Sequence, residues 1–324
     1  MTGGPRALSH HGADSAGRGN KLVVLGVFVA DTSYHADRMP RIGETLLGRG
    51  FKLGPGGKGS NQAVAAARLG AGVSMVTRLG VDAFGDTALA TWAEAGVAPL
   101  VTRDPDSYTG AAFIFVEAAT GDNAIIIAPG AAASLSAADL DARAEAIAAA
   151  SVFITQLEQP LEAAVRGLEI ARGAGVTTIL NPAPGRPLPD AVLSLCDYVT
   201  PNETETEDLT GVAVTGVEAA REAADRLIAR GAGAAVITLG ARGALYHAPG
   251  RSVLVPVISA GPVVETTGAG DAFNGGFATA LSRGVDPVEA VRFGCAVAGI
   301  SVTRPGTAPS MPSLDEVEAL LARV

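Results

Sequence analysis

Short, mostly apolar strands alternate with helices along most of this chain, and the alternation limits the possible folds more than any other feature. The strands are runs of four or five residues with little polar content, which is typical of strands buried on both faces. Several helices end at glycines, namely Gly70, Gly96, Gly173 and Gly231, as expected of helix C-termini. The sequence therefore predicts an α/β fold in which helices cover both faces of a parallel sheet.

The predicted strands are residues 22–26, 73–77, 152–155, 177–180, 198–200 and 235–238. The predicted helices are residues 62–68, 87–94, 161–172, 217–230, 272–282 and 287–302. Two stretches break the alternation. Residues 29–53 contain Pro and Gly but no helical pattern, and residues 109–117 and 123–127 are typical of a hairpin across a Thr-Gly-Asp turn.

Length, charge and apolar content exclude several classes of protein. The 324 residues are enough for one large domain or two small ones. The formal net charge is −9 and there is no basic block, so no nucleic-acid partner is expected. No run approaches the ~20 apolar residues of a membrane span, so no membrane association is expected either.

The N-terminal segment and the cysteines bear on location. Residues 1–20 are rich in Gly, Ser, His and Arg and lack the apolar segment of a secretory signal. We interpret them as a disordered tail or an alternative start, and residues 21–324 as the folded domain. Cys196 and Cys295 indicate no disulfide framework and fit a reducing, cytoplasmic location. The four histidines have no metal-ligand spacing.

A glycine turn near the C-terminal end predicts an anion site beside a carboxylate. Gly268 and Gly270 flank Ala269 just before a helical segment, and Asp271 stands at the start of that helix. A helix N-terminus offers free backbone N–H groups and the positive end of the helix dipole, so a phosphate can bind there. Asp271 can then accept a proton from an attacking hydroxyl. The alternative is a common glycine turn in which Asp271 only caps the helix.

A second glycine turn, Gly54-Pro55-Gly56-Gly57-Lys58-Gly59-Ser60-Asn61, leads into the helix predicted at 62–68. The spacing of Gly54, Gly56 and Gly59 matches the dinucleotide-binding fingerprint. That fingerprint should directly follow the first strand of the fold. The first predicted strand, residues 22–26, lies well upstream of Gly54, so the match is weak. The phosphate-loop pattern also fails, because Gly59 rather than Ser or Thr follows Lys58.

Polar residues follow several predicted strands, where the ligands of an open parallel sheet bind. Asp31 is either a ligand-binding carboxylate or an Asx-turn residue, and Asn61 is a donor, a helix N-cap or both. Glu158, taken alone, would be solvated. Asn202 and Glu205 share one face if helical, but acidic residues here are also typical of an ordinary helix start.

Five motifs in order resemble those of one family. Residues 56–61, Gly-Gly-Lys-Gly-Ser-Asn, resemble the N-terminal signature of the ribokinase branch of the phosphofructokinase-B type carbohydrate kinases. Residues 266–271, Thr-Thr-Gly-Ala-Gly-Asp, resemble the C-terminal signature of that family. Residues 181–184, 200–205 and 238–243 fall between them in the family's order. The resemblance extends from about residue 21 to residue 315.

The resemblance implies a ribokinase-like three-layer sandwich around a parallel sheet, with segments 29–53 and 109–128 forming a small β lid that can also build a homodimer. The implied activity is transfer of the γ-phosphoryl group of ATP to a primary hydroxyl of a pentose such as ribose, with Mg²⁺ and K⁺. The alternatives are a kinase of another sugar, a sugar acid or a nucleoside. A catalytically silent sugar-binding regulator is a further alternative.

The resemblance also implies a role for each site residue. Asp271 is the base, and the backbone of Gly268, Ala269 and Gly270 binds the transferred phosphoryl group. The implied sugar-binding residues are Asp31, Gly57, Lys58, Asn61 and Glu158. The implied nucleotide-binding residues are Asn202, Thr238, Gly240, Arg242, Gly243 and Cys295. Asn202 and Glu205 are implied to hold hydrated Mg²⁺. The implied K⁺ ligands are Glu265, Thr267, Ser301, Arg304, Gly306 and Ser310.

Three positions depart from the family pattern. Val29 stands where ribokinases usually carry an Asn that contacts ribose, which puts ribose itself in question. Cys295 stands where the family often has a polar residue near the nucleobase. Glu265 replaces the usual Asp, a change of little consequence if the ligand is its backbone carbonyl.

Overall fold

Strands and helices alternate along most of residues 18–324, the part of the chain that the computed structural model describes. The strands are β1 (Lys21–Leu25), β2 (Val29–Ala36), β3 (Gly50–Gly56), β4 (Gly72–Gly80), β5 (Ala98–Asp104), β6 (Thr109–Glu117), β7 (Asn123–Gly130), β8 (Val152–Thr155), β9 (Thr177–Leu180), β10 (Tyr198–Val199), β11 (Ala234–Thr238), β12 (Ala244–Ala248) and β13 (Arg251–Val255). The helices are α1 (Lys58–Arg68), α2 (Ala83–Ala95), α3 (Ala137–Asp141), α4 (Ala144–Ala148), α5 (Leu161–Gly173), α6 (Asp190–Leu193), α7 (Glu203–Thr210), α8 (Val217–Ala229), α9 (Ala269–Ser282), α10 (Pro287–Ser301) and α11 (Leu314–Leu321). Short 3₁₀ helices lie at Ala131–Ser134, Gly240–Arg242 and Ala308–Ser310.

A nine-stranded sheet forms the centre of the fold, in the order β13-β12-β11-β10-β9-β8-β1-β4-β5. The strands from β11 to β5 are parallel, as the sequence predicts. β12 and β13, which were not predicted, run antiparallel at one edge of the sheet. The connections at residues 239–243 and 249–250 are too short for a crossover, so these strands can only turn back.

Two apolar clusters lie on opposite faces of the central sheet. Side chains alternate along β1, so Leu22 and Val24 belong to one cluster and Val23 and Leu25 to the other. The first cluster includes residues of α1, α2, α9, α10 and α11, and the second includes residues of α5, α7 and α8. The strand runs are continuous and apolar because both faces are covered. The predicted three-layer fold class is confirmed.

A separate four-stranded sheet, called the small sheet below, has the order β3-β2-β6-β7. β2 and β6 are parallel, while the two outer pairs are antiparallel. The predicted hairpin is present as β6 and β7. Only residues 26–28 separate β1 from β2, so the small sheet starts at the carboxyl end of the central sheet.

The segment predicted to be a disordered tail lies mostly outside the described residues, since the structure begins at residue 18. Arg18 donates to the carbonyls of Ala174 and Gly175, and Asn20 donates to that of Gly70. Among the helices of residues 18–324, none has both the length and the apolar composition needed to cross a bilayer.

Candidate active site

The glycine turn before α1 has no room for side chains. Gly57 has φ +88°, and a Cβ there would lie 2.5 Å from the carbonyl oxygen of Val27. A Cβ on Gly56 would overlap the carboxylate of Asp31 on β2. The glycines therefore let the end of β3 and the start of α1 pack directly against β1–β2, which brings Asp31 beside the helix.

Helix α1 begins at Lys58, earlier than the predicted start at residue 62, and Gly57 is its N-cap. The prediction that Asn61 could be the N-cap is therefore wrong, because Asn61 lies within the first turn of the helix. The backbone N–H of Lys58 donates to Oε2 of Glu158 at 2.8 Å. Glu158 is thus not a solvated side chain but is held at the helix start.

Helix α9 begins at Ala269 with Gly268, at φ +81°, as its N-cap. Asp271 makes no capping hydrogen bond to this helix, so the alternative in which it is only a cap is wrong. The N–H of Ala269 donates to the carbonyl of Thr266 at 3.1 Å. Gly268 and Gly270 are therefore better candidates than Ala269 for binding an anion.

The Asp271 carboxylate is held by α1, the opposing helix. Oδ2 accepts from Nδ2 of Asn61 at 3.0 Å, and Oδ1 accepts from Nε2 of Gln62 at 3.1 Å. The two helices approach closely at Gly275 of α9, where a Cβ would lie 2.9 Å from the carbonyl oxygen of Gln62. Because Gly275 has no side chain, α1 and α9 pack closely, and the start of α1 lies beside the Asp271 carboxylate on α9.

Opposing effects act on the ionisation of Asp271 and Lys58. Burial raises the pKa of Asp271, while the charge of Lys58 and the hydrogen bonds from Asn61 and Gln62 lower it; the pKa is raised overall. Burial lowers the pKa of Lys58, but nearby carboxylates outweigh it, so the pKa is raised. The Lys58 ammonium therefore stays charged.

Two further carboxyls on the same side of the site titrate near neutral pH. Burial raises the pKa of Glu158 to about 7, against the opposing charge of Lys58. Burial also raises the pKa of Asp31 to about 6. Val29, two residues before Asp31 on β2, is 5% exposed and packs in an apolar cluster. Two carboxyls with raised pKa values thus lie on this side of the site, and the side chain two residues before Asp31 is apolar.

A cleft lies at the carboxyl ends of β9, β10 and β11, the place expected for ligands of such a sheet, and extends to Lys58 at the start of α1. Its lining consists of Lys58, Asn181, Ala183, Thr200, Asn202, Glu205, Thr238, Gly268, Gly270, Asp271 and Asn274. The structure therefore brings together the predicted base, Lys58 and the predicted Mg²⁺ residues. No role at the site was predicted for Asn181, Thr200 or Asn274, although Asn181 and Thr200 directly follow β9 and β10.

Asn202 and Glu205 form a reciprocal cap at the start of α7. Oδ1 of Asn202 accepts from the N–H of Glu205 at 2.8 Å, and Oε2 of Glu205 accepts from the N–H of Asn202 at 2.9 Å. The ordinary helix-start alternative is thus present in the structure. It is compatible with a ligand role, since Glu205 also lines the cleft and burial raises its pKa.

The predicted nucleotide loop is only partly at the cleft. Thr238 lines it, whereas Gly240, Arg242, Gly243 and Cys295 are not among its lining residues in residues 18–324. The guanidinium of Arg242 is bound by the carboxylate of Glu203 and the carbonyl of Thr215. Cys295 is buried in an apolar cluster, and burial raises its pKa to about 12, so the thiol stays neutral.

The predicted K⁺ residues lie on two segments that are tied together, the loop before α9 and the stretch from the end of α10 to the 3₁₀ helix at Ala308–Ser310. The N–H groups of Val264 and Glu265 donate to the carbonyl of Val302. Oε2 of Glu265 accepts from the N–H of Gly306 at 2.8 Å. The Glu265 side chain therefore joins the two loops, a role that the sequence analysis did not assign to it. The hydroxyl of Ser310 donates to the carbonyl of Thr307 at 2.7 Å.

Comparison with known proteins places this site in a family. The model of the pfkB family carbohydrate kinases matches residues 20–314. A ribokinase of Haemophilus influenzae is 41% identical over 296 residues, which cover 91% of this chain and 96% of that protein. A deoxyribokinase of Salmonella typhi is 37% identical over 303 residues, 93% of this chain and 98% of that protein.

A solved structure agrees with these relatives. Arabidopsis thaliana ribokinase complexed with ribose and ATP matches with a TM-score of 0.86 and 32% identity, covering 94% of this chain and 99% of that chain. The family and fold implied by the five motifs are confirmed. The chain belongs to the pfkB family of carbohydrate kinases, and it is a phosphotransferase.

Proposed function

We propose that this kinase transfers the γ-phosphoryl group of ATP to a primary hydroxyl of a pentose, ribose or 2-deoxyribose. The observation that carries the proposal is the buried Asp271 carboxylate, which lines the cleft beside Gly268 and Gly270 and accepts a hydrogen bond at each oxygen. The test is a coupled ADP-release assay over a panel of pentoses, ketoses, sugar acids and nucleosides. If none of these compounds causes ADP to be released, the proposal is contradicted and the silent sugar-binding alternative is favoured.

The sugar lies between β2 and the start of α1. The carboxyls of Asp31 and Glu158 accept hydrogen bonds from its hydroxyl groups, and Lys58 donates. Oδ1 of Asn61 supports this placement, because the atom is buried and has no hydrogen-bond partner within residues 18–324. Such an acceptor is costly unless a ligand donor fills it. The backbone of Gly57 completes this side of the pocket.

Asp271 accepts the proton of the attacking hydroxyl as the phosphorus–oxygen bond forms. The N–H groups of Gly268 and Gly270 stabilise the negative charge on the transferred group, with Ala269 between them in the turn. Transfer of this kind depends mainly on position and electrostatics. The small sheet, as a lid, keeps water away from the site.

The nucleotide lies along the carboxyl ends of β10 and β11, near Asn202, Thr238 and the loop with Gly240, Arg242 and Gly243. Cys295 lies behind this region on α10. Within residues 18–324, no three His, Cys, Asp or Glu side chains cluster as metal ligands. Asn202 and Glu205 suit Mg²⁺ held mostly by water and phosphate. Bound Mg²⁺ supplies charge neutralisation for the phosphates.

A K⁺ ion fits the loops around Glu265. Backbone oxygens of Glu265, Thr267, Ser301, Arg304 and Gly306, with the Ser310 hydroxyl, form an all-oxygen donor set of the kind that alkali cations bind. The bond from Gly306 to Glu265 supports this placement, because it holds the two loops together without a metal. Bound K⁺ supplies positive charge beside the phosphate-binding turn, to which these loops connect.

The two reduced, buried cysteines support a cytoplasmic location for the enzyme.

The small sheet is proposed as the interface of a homodimer. The register places the exposed apolar side chains of Tyr34, Phe51, Leu53 and Ile126 on one face of it, with Ile126 66% exposed, and those of Ile125 and Ile127 on the other face. Neighbouring exposed apolar side chains at this density mark interaction sites. A second copy of the same sheet would bury them through an isologous contact.

A second substrate, 2-deoxyribose, is favoured by Val29. The family's usual Asn at this position contacts ribose, whereas Val29 has no donor or acceptor and packs in an apolar cluster. One of the relatives is a deoxyribokinase. Ribose and 2-deoxyribose differ by one hydroxyl, and an apolar wall penalises the sugar that keeps an unpaired hydroxyl.

A further inference from the structure

A row of buried side-chain amides leads to the Asp271 carboxylate. Gln156 donates from Nε2 to Oε1 of Gln62 at 2.6 Å. Gln62 donates from Nε2 to Oδ1 of Asp271 and to Oδ1 of Asn181, each at 3.1 Å. Asn181 donates from Nδ2 to the carbonyl of Thr200 at 2.9 Å. Since Gln62 is 1% exposed and Gln156 is 0% exposed, water does not substitute for these partners.

The direction of the Gln62 hydrogen bonds is set by Asn181 and Asp271, which offer it only acceptors. Gln62 therefore presents its NH₂ group to both, which leaves its Oε1 for the NH₂ group of Gln156, whose own Oε1 has no hydrogen-bond partner within residues 18–324. Asn181 has already used its NH₂ group on a carbonyl, so it offers Gln62 only an oxygen. A reversed Gln62 amide would set its oxygen against two acceptors, which is strongly unfavourable in a buried site.

The row is fixed in place by two glycines at the end of β1 and the start of α1. Oε1 of Gln156 occupies the space that a Cβ on Gly26 would need. A Cβ on Gly59 would lie 3.0 Å from the same oxygen and would also collide with Gly26. The absence of both side chains therefore makes room for the Gln156 amide beside Gln62.

We propose that Gln62 is a positioning residue that fixes the orientation of the Asp271 carboxylate and keeps Oδ1 an acceptor. The inference rests on the proposed role of Asp271 as the base. Gln62 and Asn61 each donate to one oxygen, so the carboxylate cannot rotate. The attacking hydroxyl of the sugar then approaches the Asp271 carboxylate in a single orientation. A displacement of the reacting groups by about 1 Å costs roughly 10²-fold in rate.

Gln62 acts beside a set of charged groups that remain in place when it is changed. They are Lys58 on α1, Asp31 on β2, Glu158 after β8 and Glu205 on α7. Among residues 18–324, the side chains that donate hydrogen bonds to Asp271 are those of Asn61 and Gln62. Loss of the Gln62 bond therefore changes the base itself and leaves the charges around it unaltered.

The first test is Gln62→Met in the full-length enzyme. We expect kcat to fall by about 10- to 100-fold, while the KM for sugar and for ATP stays close to wild type. The carboxylate loses a donor, so its pKa rises and the acid limb of kcat against pH moves to higher pH. Thr178→Val is the matched control, because it removes a buried hydroxyl that bonds the carbonyl of Leu195 and the N–H of Asp197 at the amino end of β9, while the cleft lies at the carboxyl end. It should lower Tm and leave kcat and the acid limb unchanged.

A second variant keeps the proposal testable if Gln62→Met does not fold. Gln156→Met removes the donor to Oε1 of Gln62, so the Gln62 amide loses the contact that holds its far side and its bond to Asp271 loosens. We expect a lower kcat in Gln156→Met than in Gln156→Glu, in which the buried carboxyl stays protonated and donates to the same oxygen, although Gln62 and Asp271 are intact in both. Wild-type kcat and an unshifted acid limb in Gln62→Met, or in Gln156→Met where Gln62→Met does not fold, would overturn the inference. Retained turnover in Asp271→Asn would instead overturn the proposed function on which it rests.

Discussion

Nδ2 of Asn61 donates to Oδ2 of Asp271 at 3.0 Å, although 210 positions separate the two residues in the sequence. The bond joins the first turns of α1 and α9, each of which follows a glycine with positive φ. Neither turn alone makes the site, since one supplies the amide and the other supplies the carboxylate and the anion-binding N–H groups. The packing of α1 on α9 is therefore the structural condition for the proposed chemistry.

The first prediction concerns Asp271→Asn. The amide cannot accept the proton of the attacking hydroxyl, and loss of a general base costs about 10²–10⁴-fold in rate. We expect kcat to fall by that factor in a coupled ADP-release assay. Sugar and ATP binding, measured by calorimetry, should persist, because Asp31, Lys58 and Glu158 are unchanged. Near-wild-type turnover would show that another group takes the proton.

The second prediction concerns pH. The pKa of Glu158 is raised to about 7 and that of Asp31 to about 6, in both cases by burial. Both groups accept sugar hydroxyl donors at both oxygens, and most strongly, when ionised, so kcat/KM for the sugar should fall as pH drops through these values. In Glu158→Gln the step near pH 7 disappears, and the remaining decrease lies nearer pH 6. A kcat/KM that is flat from pH 8 to pH 5 would contradict the assignment of both carboxyls.

The third prediction concerns K⁺. Turnover should be higher in K⁺ than in Na⁺ or Li⁺, and lowest in a large organic cation at equal ionic strength. Glu265→Ala removes the acceptor of the Gly306 N–H and loosens the two loops, so half-maximal activation should need more K⁺. Equal rates in K⁺ and the organic cation would argue against this site.

The fourth prediction concerns assembly. Ile126→Glu places a charge in the exposed apolar face of the small sheet, where it would be buried unpaired in a dimer. We expect a dimer in wild type and a monomer in the variant by sedimentation velocity. Val285→Glu, at an exposed apolar position after α9 and away from the small sheet, is the control and should stay dimeric. A wild-type monomer at micromolar concentration would refute the interface.

Much of the fold was predictable because buried parallel strands are continuous apolar runs. The predicted strands at 152–155 and 177–180 coincide with β8 and β9. β5 was missed because it is a partly exposed edge strand whose short apolar run contains Pro99. α3 and α4 are five residues each, which is too short to show a helical period.

Residues that line the cleft were predictable where they end strands or follow glycine turns, as with Thr238 and Asp271. Gln62 and Asn274 were missed because they lie inside otherwise apolar helices, and no local spacing indicates what a buried amide will contact. Their partners, Asp271 and Thr200, are on other elements. Such contacts depend on how the helices pack, which the periodicity of one helix does not determine.

The last prediction concerns substrate choice at Val29. If its apolar side chain replaces a hydrogen-bonding Asn, wild type should have a higher kcat/KM for 2-deoxyribose than for ribose. A single neutral hydrogen bond is worth about 0.5–1.5 kcal/mol, so the preference should be several-fold rather than absolute. Val29→Asn should move the ratio of the two kcat/KM values towards ribose.

Val29 is 5% exposed, which gives the same variant a second readout. Without sugar, the new amide is buried with no assured partner, a cost of about 1–3 kcal/mol, so Tm should fall. Ribose supplies the partner, and it should raise the Tm of Val29→Asn more than that of wild type. Val29→Ala is the control, because it loses apolar contacts but gains no donor, and its substrate ratio should not move towards ribose. If wild type already prefers ribose by a wide margin, the apolar side chain at Val29 does not select the sugar, and ribose is the substrate.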